Sequence, residues 1–300
     1  IAAAVRQPQV ESAWTRQEIA SIKAELGDQW NQLVAGVAYS DDNPPDYRVR
    51  AMTLMQLFGP IPSEDLLLEL SKAESELVRA KSALMLGRKP GPRGKERLME
   101  LLADDSLAVR RAACESMLRG NVTPSDASGL LDVIATGDRT LAFVGRKLLE
   151  RVPVEKFRDE VLGSSQTRVA IVGMLALVDV DHSEETAFAV LERCSEMMTG
   201  FLSDADFIDV LRLCQVTLHR SGVDPKKVPT LGEQIAEEFP AGEPRINHEV
   251  IRLATYLDSE SLADRAIEYL ESDAPHESRT LVAMCLQSMS EGWNAKQRFA

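Results

Sequence analysis

Between Asp105 and Gly120 the chain reads DSLAVRRAACESMLRG, and its buried-type positions fall at Val109, Ala112, Ala113, Ser116 and Met117. That spacing puts them on one face of a helix, and their small size lets a neighbouring helix approach closely. Related runs occupy Asp46–Gly59 and Glu76–Arg88. Helices of this first kind are predicted to start near 46, 76, 106, 138 and 166. A second kind follows Pro62, Pro92, Pro124 and Pro153. Both markers share a period of about 30 residues, the mark of a stacked repeat. Proline suits the first turn of a helix, where its missing N–H has no partner to lose. Thr123-Pro124-Ser125-Asp126 is read this way, with Thr123 as N-cap, Pro124 at N1 and Asp126 at N3. Apolar pairs then face inward at Leu67-Leu68, Leu101-Leu102, Leu130-Leu131 and Val161-Leu162.

Upstream of the repeats, residues 1–13 read as a poorly ordered lead-in. Thr15 and Glu18 suggest a capping box, with Trp14 and Ile19 as a hydrophobic staple across it. That helix runs to Leu26 and stops at Gly27. Asp28 is placed as the cap of a second helix carrying Trp30, Leu33, Val34 and Val37, and Ser40–Pro45 forms a turn-rich link. Beyond Val178 the pattern loosens. Longer helices are expected over Ser183–Met198 and Ser203–Arg220, a broken one over Asp224–Phe239, and three more over Asn247–Leu257, Ser259–Glu271 and Glu277–Met289. No segment alternates with period two between hairpin turns, so strands are expected to be negligible. The fold class is all-α, an α-α superhelix of stacked helix pairs with a concave and a convex face. It is divided into capping helices over 1–45, regular repeats over 46–178 and divergent repeats over 179–300. Gly242-Glu243-Pro244 is the best candidate hinge.

Composition narrows the function classes. A net charge of −13 would repel phosphate backbones, which argues against nucleic acid as a partner. Aromatic residues make up 5% of the chain, which suits helices with small contact residues rather than a β-sandwich. No apolar run approaches the roughly 18 residues that read as a membrane span. The start lacks a charged leader and an initiator Met, and the end stops inside a helical pattern without a cap, so both are expected to lie within a longer chain.

The candidate chemistry is sparse. Cys114, Cys194, Cys214 and Cys285 form no CxxC pair and no CxxCH site, and each sits in an apolar helical context that suits a buried thiol. Cys194 and Cys214 could instead form a disulfide if consecutive helices bring them together. Asp179, Asp181, His182, Glu184 and Glu185 have metal-ligand types in a spacing that fits neither a calcium loop nor a zinc set; they are read as a turn and the negative first turn of a helix. His219, His248 and His276 lack a nucleophile in any recognised pattern, and there is no GxGxxG and no P-loop. Arg50, Arg79, Arg110 and Arg168 are expected to pair with carboxylates such as Asp46 and Asp105 rather than to read an acidic ligand. The run RKPGPRGKER is read as a basic loop. Its Arg88, Lys89, Arg93, Lys95 and Arg97 stand against one Glu96, and they are the candidate partner-binding residues.

The repeats resemble HEAT repeats in their short form. The acidic residue, Val-Arg pair, small residues and closing glycine appear as Asp46, Val49-Arg50, Ala51 and Gly59; the next copy has Val78-Arg79, Ala80, Ala83 and Leu86-Gly87. A third has Asp105, Val109-Arg110, Ala112-Ala113 and Gly120. Arg139-Thr140-Leu141 and Arg168-Val169-Ala170 keep part of the pattern. The resemblance implies a solenoid that binds a protein or positions flanking domains. The tail Glu277–Ala300, with its alanine-cysteine-leucine helix, Gly292-Trp293 and an Arg-containing helix, is similar to part of the large modular PVC-type haem-binding proteins. That likeness implies a spacer within an exported or periplasmic electron-transfer protein carrying a c-type cytochrome domain. With no CxxCH here, the covalent haem would lie outside this chain, and no cofactor is expected within it. HEAT-like DNA glycosylases and bilin lyases are the enzymes of this general shape. The acidic balance disfavours the first, and no spacing declares a tetrapyrrole pocket for the second. The expected role is therefore a non-catalytic scaffold.

Overall fold

A computed structural model describes residues 1–295 and 297. Among these residues there are eighteen α-helices and no strand. The fold is all-α, a solenoid of stacked helix pairs, and it divides into two compact units, Ile1–Val152 and Pro153–Ala300.

In the first unit, α1 (Ala2–Arg6), α2 (Ala13–Leu26) and α3 (Gln29–Tyr39) lead into the repeats. The first kind of helix follows as α4 (Pro45–Phe58), α6 (Glu76–Leu86), α8 (Leu107–Arg119) and α10 (Arg139–Leu149). These lie side by side in chain order, with α3 against α4. The second kind, α5 (Glu64–Leu70), α7 (Pro92–Glu100) and α9 (Ser128–Ala135), forms a second layer behind them. The buried positions repeat in register: Ala51, Met52, Leu54 and Met55 on α4; Ser82, Ala83, Met85 and Leu86 on α6; Ala113, Cys114, Ser116 and Met117 on α8. A helix pair cannot cover this stripe alone, so each repeat depends on the next for its core.

All five residues of the expected α8 face are buried, Val109, Ala112, Ala113, Ser116 and Met117. Ala113 has no room for a larger side chain. Ala113→Trp is expected to cost about 1–3 kcal/mol through overpacking, read as a lower urea midpoint. An unchanged midpoint would mean that this face is not the packed one. The repeat-closing glycines are needed for different reasons. Gly59 ends α4 at φ +81°, which L side chains rarely adopt. Gly87 has an ordinary φ of −65°. A Cβ there would lie 2.4 Å from Cβ and 2.5 Å from Cα of Ser116, so Gly87 permits the close approach of α6 and α8.

The second unit uses the same construction. Its first layer is α12 (Thr167–Val180), α14 (Asp204–Ser221), α16 (Pro244–Tyr256) and α18 (His276–Leu286), each packed on the next. α11 (Arg158–Leu162), α13 (Glu184–Met198), α15 (Pro229–Glu237) and α17 (Leu262–Glu271) pack beside them. Ser183 and Ser203 cap α13 and α14 by accepting from the amides of Thr186 and Asp206. Gly242-Glu243-Pro244 is the N-terminal turn of α16, where Glu243 accepts from the Arg245 amide.

Four local expectations are corrected. Residues 1–13 are not a loose lead-in: α1 buries Ala4 and Val5, Val10 is also buried, and Arg50 donates to the Val5 carbonyl at 3.2 Å. The cap of α2 is Ser12, which accepts from the Thr15 amide at 3.2 Å, and Trp14 is 81% exposed, so no staple forms. Asp28 stands at the N-cap of α3 but makes no side-chain cap. Thr123-Pro124 does not open a helix. Val122 and Ala127 anchor that stretch as buried loop, and α9 begins only at Ser128.

Candidate functional site

The repeat arginines are tied into the fold. Arg79 sits in the first turn of α6 and forks onto Asp104, Nε to Oδ2 at 2.8 Å and Nη2 to Oδ1 at 2.9 Å. Its remaining amine donates to the carbonyls of Ala73 and Glu74 at 3.0 and 2.7 Å. The side chains of Arg79 and Asp104 are 17% and 9% exposed, so the pair is mostly shielded. Arg110, one repeat on, donates to the Asp104 carbonyl. The equivalent residue on α4 is Arg48, not the Arg50 of the Val-Arg dyad. Arg48 is buried and reaches back to the carbonyls of Ala38 and Tyr39 at 3.0 and 3.2 Å and to Asp41. Arg50 instead pairs with Asp46 at 3.2 Å. On α4, α6 and α8, then, the arginine at the fourth helical position donates to a carbonyl of the segment before it; on α6 and α8 it is the dyad arginine, on α4 it is not. In the second unit Arg168 joins Asp206 and Asp209 at 3.0 and 2.8 Å.

Burial alone would push the Asp104 carboxyl up. Hydrogen bonds from Arg79 and the Ser106 amide, with the charges of Arg79 and Arg97, outweigh it and hold the group below its ordinary value.

The basic run is loop over residues 88–91 and helix from Pro92 on. Gly91 and Pro92 open α7, which carries Arg93, Lys95 and Arg97. Local sequence gives α7 no side-chain cap, and the missing acceptor comes from the preceding repeat. Glu64 Oε1 accepts from the amides of Gly91 and Gly94 at 2.9 and 3.0 Å. A Cβ at either place would lie within 2.7 Å of that oxygen, so a larger residue would have to displace the Glu64 carboxylate from this cap. Arg93 is held by Asp65 at 2.6 Å. Arg97 is held by Glu100 at 2.7 Å and by the Ser71 hydroxyl and carbonyl, both at 2.9 Å. Arg88, Lys89 and Lys95 are exposed, and their side chains have neither a hydrogen bond nor an ion pair among the described residues. Arg88 and Lys89 border a cleft of about 380 Å³ lined by Gln56, Ile61, Pro62, Leu67, Met85 and Leu86, with Glu64 at its α7 side. The sequence marked the charges but not the cleft, since Ile61 and Met85 meet only through the stacking of two repeats.

The other candidates have structural duties. Asp181 accepts from the Ser183 amide at 3.0 Å and from the Thr186 hydroxyl. Asp179 pairs with Arg220, Glu184 with Lys227 and Glu185 with Arg158, at 2.9, 2.9 and 3.0 Å. Among the described residues no group of three or more His, Cys, Asp and Glu is arranged to hold a metal. His248 lies 3.3 Å from the Ser278 hydroxyl and His276 3.4 Å from that of Thr280, both contacts between or within helices of the second unit. No described helix is long and apolar enough to cross a membrane.

Cys194 on α13 and Cys214 on α14 do meet. Both are free and fully buried, and the neighbouring Cys214 thiol, together with burial, pushes Cys194 well above the ordinary thiol value. Burial, with the charge of Glu115, pushes Cys114 up to about 12. Cys285 is less deeply placed and is raised by burial. In the native chain a thiol reagent at pH 8 is expected to label Cys285 alone, with the other three released only on denaturation. Rapid labelling of all four in the native state would contradict this burial.

A family model for HEAT repeats matches residues 33–119 and 63–141, all within the first unit. Over that stretch the chain is similar to HEAT repeats. The structure of human deoxyhypusine hydroxylase in complex with glycerol is similar over 89% of this chain and 98% of that one, at 18% identity and a TM-score of 0.32. At those values the likeness bears on neither fold nor chemistry. No curated protein matches the chain in sequence.

Proposed function

We propose that the chain is a non-catalytic helical-repeat scaffold that holds a protein partner, or a flanking domain of its own polypeptide, at the basic surface of the first unit. The observation that carries this reading is the division among its cations. Arg48, Arg79, Arg93 and Arg97 are engaged within the fold, whereas the side chains of Arg88, Lys89 and Lys95 are exposed and unpaired among the described residues, and Arg88 and Lys89 border an apolar cleft. In a chain of net charge −13 such a patch is a local reversal of field, suited to an acidic surface. The buried, raised thiols fit a structural rather than a nucleophilic role.

The test is site-specific photo-cross-linking of the full-length protein in its own cells. A benzophenone side chain at position 89 is expected to give a discrete protein adduct, or an internal link to a flanking domain, that the same probe at position 160 does not give. Absence of any position-specific adduct from 88, 89 and 95 would overturn the reading.

A second reading makes the chain the spacer of an exported haem-carrying electron-transfer protein. It is carried by the likeness of residues 277–300, of which Lys296 and 298–300, including the arginine of the expected last helix, lie outside the described residues. The matches found give this parentage no support. A pyridine haemochrome spectrum of the full-length product tests it: a covalent c-type signal assigns the spacer role and an exported location, and a colourless product removes both.

A further inference from the structure

The geometry points to an acidic–apolar peptide segment of a partner protein as the occupant of the cleft beside Arg88 and Lys89. This inference rests on the scaffold reading and narrows it to a partner chemistry. The cleft lies where the turn between α4 and α5 meets the turn between α6 and α7, so two successive repeats build it. Its wall is apolar: Ile61, Pro62, Leu67, Met85 and Leu86. Ile61 is 81% exposed at the rim, a large aliphatic side chain with no cover from its own chain. The volume of about 380 Å³ falls at the small end of ligand-sized pockets, enough to seat side chains of a segment but not an element of structure.

The charges then fix what accompanies the apolar group. The side chains of Arg88 and Lys89 have no anion partner among the described residues, and Lys81, on α6 just before that turn, feels the repulsion of Arg88 and is itself held below the ordinary lysine value, mainly by burial. Glu64 is the carboxylate at the cleft, and its Oε1 is occupied by the two amides that open α7. A positive helix N-terminus therefore offsets it. An apolar side chain in the cleft with a carboxylate within a few residues of it satisfies both halves of the site, with the guanidinium of Arg88 able to form a forked pair. An anionic bilayer is the less suitable partner. The net charge of −13 opposes it, and a bounded cleft does not match a flat surface.

The test selects a phage-displayed random dodecapeptide library on the full 300-residue chain, with counter-selection on the Arg88→Glu/Lys89→Glu variant. The most enriched peptide is then titrated as a fluorescein conjugate against both proteins and against Ile61→Asp. All three positions are exposed, so the variants are expected to keep the wild-type circular dichroism spectrum and melting temperature. The expected peptides carry Asp or Glu within four residues of Leu, Ile, Met or Phe, and bind each variant at least tenfold more weakly. Selection of no peptide that discriminates wild type from the double variant would overturn the proposal, as would a consensus without carboxylates or equal affinity for all three proteins. Binding of phosphatidylserine vesicles or of dodecanoate without any selected peptide would overturn it in favour of a lipid. If position 89 still cross-links to a protein in cells while these peptides fail, the occupant named here is wrong and the scaffold reading stands. If neither occurs, both fall.

Discussion

Trp30→Ala is expected to destabilise the first unit by about 3–5 kcal/mol, the cost of deleting a large aromatic side chain from a packed core. Trp30 is fully buried and heads the buried side chains by size. Its ring meets Phe58 edge-on, with centroids 6.2 Å apart at 71°, and its Nε1 donates to the Gly59 carbonyl at 2.7 Å. The residue thus joins α3 to the end of α4, where the chain turns at a glycine with positive φ. Truncation empties that contact and leaves the Gly59 carbonyl without its indole donor. Trp30→Phe separates the two effects: it keeps most of the packing, so its loss should shrink to about 1–2 kcal/mol, close to that of one unmade hydrogen bond. Urea unfolding measures both. A loss under 1 kcal/mol for the alanine variant would mean that α3 is not part of the cooperative unit.

The second large effect is expected at Asp104. Asp104→Ala leaves the Arg79 guanidinium mostly shielded with only two carbonyls for company, and removal of one partner from such a pair costs about 3 kcal/mol. The pH dependence carries a sign that can be worked out. The folded carboxyl titrates below its unfolded value of about 3.9, so its contribution is complete above that pH and is lost as pH falls through the folded value. The stability difference between wild type and Asp104→Asn should therefore be flat from pH 7 to about 5 and should shrink below about pH 4. A difference that grows on acidification would contradict the assignment.

Much of the architecture was legible because a helix stripe needs only local order. The expected starts near 46, 76, 106, 138 and 166 fall within one residue of Pro45, Glu76, Leu107, Arg139 and Thr167. The face of α8 was fully given by its spacing. What failed depended on partners distant in sequence. Ser12 and Thr15 both satisfy the capping rule, and only the lack of a pocket for Trp14 decides between them. Thr123-Pro124 has good helix-start chemistry, but Val122 and Ala127 are buried on either side of it, and the chain bends before α9 begins at Ser128. Arg50 pairs with Asp46 as its spacing suggests, whereas the contact of Arg48 with the carbonyls of Ala38 and Tyr39 has no mark in the sequence. The run RKPGPRGKER looks like a loop from its proline and glycine content. From Pro92 on it is helix, and Glu64, a repeat away, supplies the acceptor that α7 lacks. The five candidate residues were found from charge alone, and the same long-range pairing then divides them. Arg93 and Arg97 serve the fold, and Arg88, Lys89 and Lys95 remain at the surface.

That division is the centre of this account, and the melting temperatures of Asp104→Ala and Arg88→Glu/Lys89→Glu, measured side by side, test it most directly. The first should melt about 6–12 °C below wild type, as a loss of about 3 kcal/mol implies for a unit of this size. The double reversal should stay within about 2 °C, as exposed substitutions without partners do. If the reversal lowers the midpoint as far as Asp104→Ala does, or if Asp104→Ala leaves it unchanged, the cations are not divided in this way, and the basic patch is part of the framework rather than a surface kept for a partner.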